Sequence, residues 1–392
     1  MVVGCDAAES TEIGCAFGES YGIAESEGPS FDGVALASAG DGAWLVWSER
    51  SGTYARRLGP HGAPEADARR LGPACPGGVA ALEHDGALLV ACVTPGDRDR
   101  DREGTLLLSR VTDEVTLLGR VAPVADESRD PDLAAEGNRV LVGWRDADAF
   151  AARARVAELG PEGLGEPWTL SSEETLSSAP SLRFIDGALH FAWTESWFHQ
   201  GRPAGHLLVR REGDPPRPSL GVNDIDVHTQ LTADARGPLV TLRDRRGRST
   251  QHRSFAGRLD ADLRLTTDAI HSPARADAND GHPMIVPCGP YLFSVTTRRS
   301  SREVTMVSLR RLDADLEPLE GEQQIYEYHA RFPQAVGVCV DDRLLVAVGE
   351  RETDVQPRPR LRTYELVCGP GRVHARTPGT EGQVLRYRAR TP

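Results

Sequence analysis

Asp130 and His282 each stand directly before a proline at the start of a short apolar stretch, and His228 occupies the matching place ahead of Thr229-Gln-Leu231. Two imidazoles and a carboxylate brought to one point suit a divalent metal held by His228, His282 and Asp130. The same three suit acid–base catalysis, one group taking a proton while another supplies one. Arg129 and Arg331 flank the set, so a carboxylate ligand gripped by guanidinium groups is a third option. Two positions further on, the corresponding residues are Gly33, Asp132, Ser181, Gln230, Met284 and Gln334. The candidate ligand-binding set is therefore Asp130, Asp132, His228, Gln230, His282 and Arg331, joined by Trp197. The plainer role for each is a solvated residue capping a strand. No cofactor is expected beyond the optional metal.

The elements that must bring these residues together are read from one stretch, Ala179-Pro-Ser-Leu-Arg-Phe-Ile-Asp-Gly-Ala-Leu-His-Phe-Ala-Trp-Thr-Glu195. Alternating apolar residues on either side of Asp186-Gly187 give two strands and a tight turn. Related strands end at Trp47, Cys92, Trp144, Leu242, Thr296 and Val348, at intervals of about 50 residues, the period of a propeller blade. A second signal keeps the same phase: Arg57-Leu-Gly-Pro-His-Gly62, Glu158-Leu-Gly-Pro-Glu-Gly163, Arg258-Leu-Asp-Ala-Asp-Leu263 and Arg311-Leu-Asp-Ala-Asp-Leu316 supply turn residues after each anchor.

The expected fold is all-β, a single seven-bladed β-propeller of four-stranded antiparallel blades at about 31–75, 76–125, 126–175, 176–224, 225–278, 279–328 and 329–392. A ring of sheets removes the exposed edges that a row of strands would leave. Residues 1–30 read as a tether whose segment from about 10 to 25 closes the ring on the last blade; Gln383–Arg388 is the alternative closing strand. Inner strands begin at the mouth of the channel, so the histidines and acids above converge there.

Trp47, Trp144 and Trp193 at the anchors are expected to pack between blades. Trp197-Phe198-His199 reads as a loop beyond its strand and, with Trp168, fits a sugar platform better. Glu49, Asp146, Glu195, Asp244 and Glu350, two residues past the anchors, would ring one face; paired acids of this kind serve glycosidases, but acids in such places more often bond turn amides. Gly18-Glu-Ser-Tyr-Gly22 has the letters of a nucleophile elbow without its strand-to-helix setting. Asp97-Arg-Asp-Arg-Asp-Arg-Glu-Gly104 has Arg102 where a calcium loop needs glycine.

The 392 residues carry a formal charge of -13, which disfavours nucleic acid and anionic membrane surfaces as partners. All 45 basic residues are arginine, excluding chemistry that rests on a lysine amine. Met1-Val-Val-Gly-Cys5 has the look of a lipoprotein cleavage site, with Cys5 as the lipidation candidate and a lipid anchor as the sole membrane contact. Six cysteines then remain, an even set able to pair in an oxidising compartment, although Cys92 in its apolar run reads as a small buried hydrophobe. An extracytoplasmic monomer, periplasmic or at the cell surface, is expected.

At the repeated Ser-Leu-x-x-x-Asp-Gly-x-Leu-x-x-x-Trp and Arg-Leu-Asp-Ala-Asp signals, residues 31 to about 376 resemble exported β-propeller repeat proteins of GC-rich bacteria, many of them lipoproteins. The outline is similar to sialidase-like propellers, without their Ser-x-Asp-x-Gly-x-x-Trp boxes. The first functional expectation is a non-catalytic protein binding a carbohydrate or protein ligand through its loops and channel mouth. The alternatives are a polysaccharide-acting hydrolase or lyase using the mouth histidines and acids, with His228, His282 and Asp130 catalytic, and a scaffold without a ligand.

Overall fold

The computed structural model describes residues 13–26, 28, 31–97, 103–148, 150–199, 202–222, 228–244, 253–265, 279–300, 304–319, 323–328, 334–349 and 358–370. Every regular element among them is a strand. Two blades come first, β2–β5 (Gly33–Ala39, Gly42–Glu49, Gly52–Leu58, Arg69–Gly72) and β6–β9 (Val79–His84, Ala87–Thr94, Gly104–Val111, Val115–Val124). A ten-stranded sheet follows, built from β10 (Arg129–Glu136), β11 (Arg139–Ala147), β12 (Ala152–Gly160), β13 (Gly163–Leu164), β14 (Trp168–Thr169), β15 (Leu176–Ser177), β16 (Ser181–Ile185), β17 (Ala188–His199), β18 (Arg202–Arg211) and β19 (Arg217–Val222). Next come a three-stranded sheet β20–β22 (Thr229–Asp234, Gly237–Asp244, Arg253–Arg258) and a four-stranded one β23–β26 (Asn279–Cys288, Tyr291–Ser300, Val304–Leu312, Gln323–Tyr328). The last blade joins β27–β29 (Gln334–Val340, Arg343–Gly349, Arg360–Pro370) to β1 (Ile13–Glu25).

This corrects the expectation of seven four-stranded blades. Among the described residues there are five separate blades, four of four strands and one of three, plus the ten-stranded sheet. The difference has a local cause in β15. Leu176 pairs in parallel with Ala152 of β12, while Leu176 and Ser177 pair antiparallel with Ser196 and Glu195 of β17, so two repeats share one hydrogen-bonded sheet. A two-residue bridge of this kind leaves no periodicity to read in a sequence.

The innermost strands β2, β6, β10, β16, β20, β23 and β27 touch one another in cyclic order, β27 returning to β2. The chain folds as a β-propeller. Apolar clusters fill the gaps between neighbouring sheets, and Trp47, Trp144 and Trp193 are each buried in one of them. Their repeat positions carry large rings because these wedges need volume. Asp186-Gly187 forms the hairpin turn as read, both residues at positive φ (51° and 75°), the geometry that favours an Asp-Gly pair. The Leu-Asp-Ala-Asp signal also has a mechanism. Asp260 Oδ1 accepts from the amides of Asp262 and Arg264, Asp313 Oδ1 accepts from those of Asp315 and Glu317, and the closing Leu263 and Leu316 take positive φ with their side chains buried.

Strand β1 runs 13 residues within the segment read as a closing strand and pairs antiparallel with β29 of the last blade, its register shifting between Phe17 and Ser20 and between Gly22 and Ala24. Cys15 lies opposite Cys368 in that pair and is disulfide-bonded to it. Cys288 is joined to Cys339, linking β23 to β27 of the next sheet. Cys92 is bonded to Cys75, a correction to its reading as a simple hydrophobe; it is buried because the bond and the core share one place. Three disulfides are the mark of an extracytoplasmic protein. Cys5 and the tail beyond 370 lie outside the described residues.

Candidate functional site

The end at which the inner strands begin holds most of the residues singled out from sequence, and the structure divides them into two groups. Asp130 sits in a β-bulge, since the pairing of β10 with β11 shifts register between Arg129 and Asp132. Its φ is +54°, an uncommon conformation for a residue with a side chain. The Asp130 amide donates to Gly77 O on the preceding repeat (2.8 Å), and its carboxylate lies 3.4 Å from Arg129 Nε, both partly exposed. His282 falls in the same kind of bulge, between Asp280 and Pro283 of β23. Bulges at strand starts re-aim side chains, so the alignment of Asp130-Pro131 with His282-Pro283 reflects a real structural equivalence. His228 is half-buried ahead of β20, its carbonyl accepting from Arg243 N (3.1 Å). Only the backbone of His282 is described, and Arg331 lies outside the described residues. Among the described residues no three His, Cys, Asp or Glu side chains come together as a metal site.

The second group faces inward. Asp132 Oδ2 accepts from Ser181 Oγ (3.0 Å) and Leu182 N (2.8 Å) of the next inner strand, and its Oδ1 accepts from Leu133 N and from Arg183 Nη1. Ser181 Oγ in turn accepts from Leu231 N (3.0 Å). Gln230 Oε1 accepts from Ile285 N (3.1 Å), Met284 Sδ from Gly337 N (3.2 Å), and Gln334 Nε2 donates to Asp32 O (3.4 Å). At Gly33 a Cβ would stand 2.8 Å from Val79 N, so the two inner strands there meet backbone to backbone. Asp132 and Gln230, read as ligand contacts, thus each accept a backbone amide of the neighbouring repeat, and Asp132 also accepts from Ser181 Oγ, Arg183 and its own neighbour Leu133 N.

The acids past the anchors behave similarly. Asp146 Oδ1 accepts from Ala125 N and Ser128 Oγ, and Glu195 from Ser172 N, Thr175 Oγ1 and the Trp193 indole. Glu49 is buried, with Oε1 accepting from Ser51 Oγ and Oε2 without a hydrogen-bond partner among the described residues. Asp244 is described in its backbone alone, and Glu350 lies outside the described residues.

Apolar rings remain at the same end. Trp197 and Phe198 lie within β17, not in a loop, because that strand extends to His199↔Arg202 against β18. Trp197 is half-buried with its ring 5.2 Å from that of His206. Phe198 is 62% exposed. One hairpin away, Phe150 is 87% exposed at the tip of a turn closed by Asp148, whose Oδ1 accepts from Phe150 N and Ala151 N. That turn abuts the loop leading to Asp130 through Glu127 N→Ala147 O (2.7 Å). Trp168 pairs through β14 with Val156 and, partly buried, packs against the core. Phe150 escaped the sequence reading, although a lone phenylalanine in the polar Asp146-Ala-Asp-Ala-Phe150 turn was the available signal.

No protein-family model matches the chain, and no curated protein matches its sequence. Among solved structures it is similar to a neuraminidase-like protein from A/bat/Guatemala/164/2009, with 11% identity, a TM-score of 0.51 and coverage of 92% of this chain and 95% of that one. It is also similar to the polysaccharide lyase Uly1, with 8% identity, a TM-score of 0.49 and coverage of 85% and 89%. At these identities the likeness concerns the fold alone.

Proposed function

We propose that this chain is a non-catalytic extracytoplasmic binding protein whose mouth face takes a saccharide chain along Phe150, Trp197 and Phe198. The observation that carries this reading is the exposure of Phe150 and Phe198 at the end where Asp132, Gln230, Asp146 and Glu195 are already committed to internal hydrogen bonds. Aromatic rings held in a fixed frame offer apolar area at small entropic cost, and the Asp148-capped turn is such a frame. A glycan array probed with the native protein and with Phe150→Ser/Phe198→Ser tests it. Binding to a defined glycan class that falls at least about ten-fold in the variant, about 1.4 kcal/mol, with unchanged melting temperature, is the expected result. A blank array, or equal binding by both proteins, sinks the reading. The bulged, positive-φ Asp130 favours an enzymatic alternative, since strain of this kind gathers at catalytic sites. Turnover of a chromogenic glycoside that Asp130→Asn abolishes would establish that alternative.

A further inference from the structure

The anchor residues Trp47, Cys92, Trp144, Trp193, Leu242 and Val348 are buried in the apolar clusters between sheets. The wedge between β20–β22 and β23–β26 is built differently, because its anchor is Thr296. Its apolar cluster of Leu239, Ala256, Ile285, Leu292, Leu312 and Leu316 lies toward the end of the propeller opposite the mouth. Side chains alternate along a strand. With Leu239 and Leu292 in that cluster, Thr241 and Arg243 of β21 and Ser294 and Thr296 of β24 point into the same wedge nearer the mouth. The pairs Arg243↔Ser254, Ser294↔Arg310 and Thr296↔Ser308 add three more polar residues. Thr241, Ser254, Ser294, Thr296 and Ser308 are each no more than 5% exposed.

The two halves of this wedge are held unequally. In the mouth half, Thr241 Oγ1 donates to Pro283 O (3.2 Å) and Gln230 Oε1 accepts from Ile285 N (3.1 Å), both at the inner strand β23. Further out, Ser294 Oγ lies 3.4 Å from Thr296 Oγ1 on its own strand, and Ser308 Oγ is buried with no hydrogen-bond partner among the described residues. A buried hydroxyl in that position has given up solvation that water would restore. Parting an apolar wedge exposes its core to water, but parting this half exposes hydroxyls, which water solvates. The far half is tied. Arg258 Nε donates to Ala314 O (2.8 Å) while its two terminal nitrogens donate to Asp234 (2.8 and 2.6 Å), and Arg236 Nη2 lies 2.7 Å from Asp315 Oδ1. On its other side, β23 is bolted to β27 by Cys288–Cys339.

We infer that the ring opens at this wedge, its mouth half parting about the tied far end and widening the channel mouth beside His228. His228 adjoins the opening because its carbonyl accepts from Arg243 N (3.1 Å). Each sheet moves as a unit, so no ladder hydrogen bond within a sheet has to break. The movement does not depend on what the mouth binds.

Thiol labelling of the full chain under native conditions tests the inference, in a Cys5→Ser background so that the introduced cysteine is the reactive one. Ser308→Cys and Ser294→Cys report on this wedge. Ala192→Cys, in the apolar cluster between β16–β19 and β20–β22, is the control. Each rate is divided by that of the same variant in denaturant, and melting temperatures are compared; should one serine variant melt lower than the parent, the other carries the test. Labelling at Ser308→Cys and Ser294→Cys at least about ten-fold faster than at Ala192→Cys is the expected result, as for a local opening set against global unfolding. Adding Thr296→Val to Ser308→Cys, which makes the wedge more apolar at nearly constant volume, should slow labelling at least about three-fold. Labelling of both serine-site thiols at the control rate, or a rate that Thr296→Val leaves unchanged, overturns the inference.

Discussion

Asp132 is a single side chain on which two repeats meet. It accepts from two amides and a hydroxyl and lies near Arg183. Removing such an acceptor leaves buried donors unmatched at about 1–3 kcal/mol each, so Asp132→Ala should lose about 2–4 kcal/mol in denaturant unfolding. Asp132→Asn, which keeps an acceptor, should lose markedly less; equal losses would show that packing, not acceptance, is what matters. A second residue-scale effect concerns Glu212, whose carboxyl is held below its ordinary value of 4.5 first by hydrogen bonds from Arg139, against a smaller opposing effect of burial. A depressed folded pKa means that the stabilisation is complete above that ordinary value and is lost as pH falls through the lower folded value. Glu212→Gln should therefore flatten the fall of the melting temperature below about pH 4.5 while leaving neutral stability little changed, the pair being partly exposed. Aligning repeats did place Asp132, Ser181, Gln230 and Met284 at one structural position. The sequence could not tell inward from outward, because a carboxylate that caps a neighbour's amide and one that awaits a ligand have the same letter and the same spacing.

Among elements, the Asp186-Gly187 hairpin and the Leu-Asp-Ala-Asp turns were legible because each is decided within a few residues by φ and by side-chain capping. Strand β15 was not, since two residues that bridge β12 to β17 owe their conformation entirely to those partners. Strand β1 shows the same dependence. Its order comes from β29 and from the Cys15–Cys368 bond, which spans 353 positions of sequence. Six cysteines permit fifteen pairings, so its partner could not be read from the sequence. Closing so long a loop restricts the unfolded chain by about 6 kcal/mol, against about 3 for the short Cys75–Cys92 loop. Calorimetry of Cys15→Ser/Cys368→Ser should thus show a larger drop in melting temperature than Cys75→Ser/Cys92→Ser, and β1 amides should exchange with solvent ahead of the other blades. A drop no larger than that of the short loop would mean that β1–β29 pairing alone holds the closure.

For the molecule as a whole, the period of about 50 residues foretold a closed ring of inner strands, and the ring is closed, yet the hydrogen-bonded sheets are fewer than the repeats. Tertiary contacts decided where one sheet ended, and the repeat signal is silent on that. The molecule's two ends also differ in kind, the mouth carrying bulges and exposed rings, the far end turns tied by arginine.

The inner-strand bonds have one more consequence. Most of these junctions are spanned by different groups: a carboxylate from Asp132, a hydroxyl from Ser181, carboxamides from Gln230 and Gln334, a thioether from Met284, and at Gly33 no side chain. A unit moved to another place in the circle would meet a gap too wide or too narrow for the group it carries. The repeats are alike in shape but not interchangeable, and the order of the chain is written a second time in the widths of its seams.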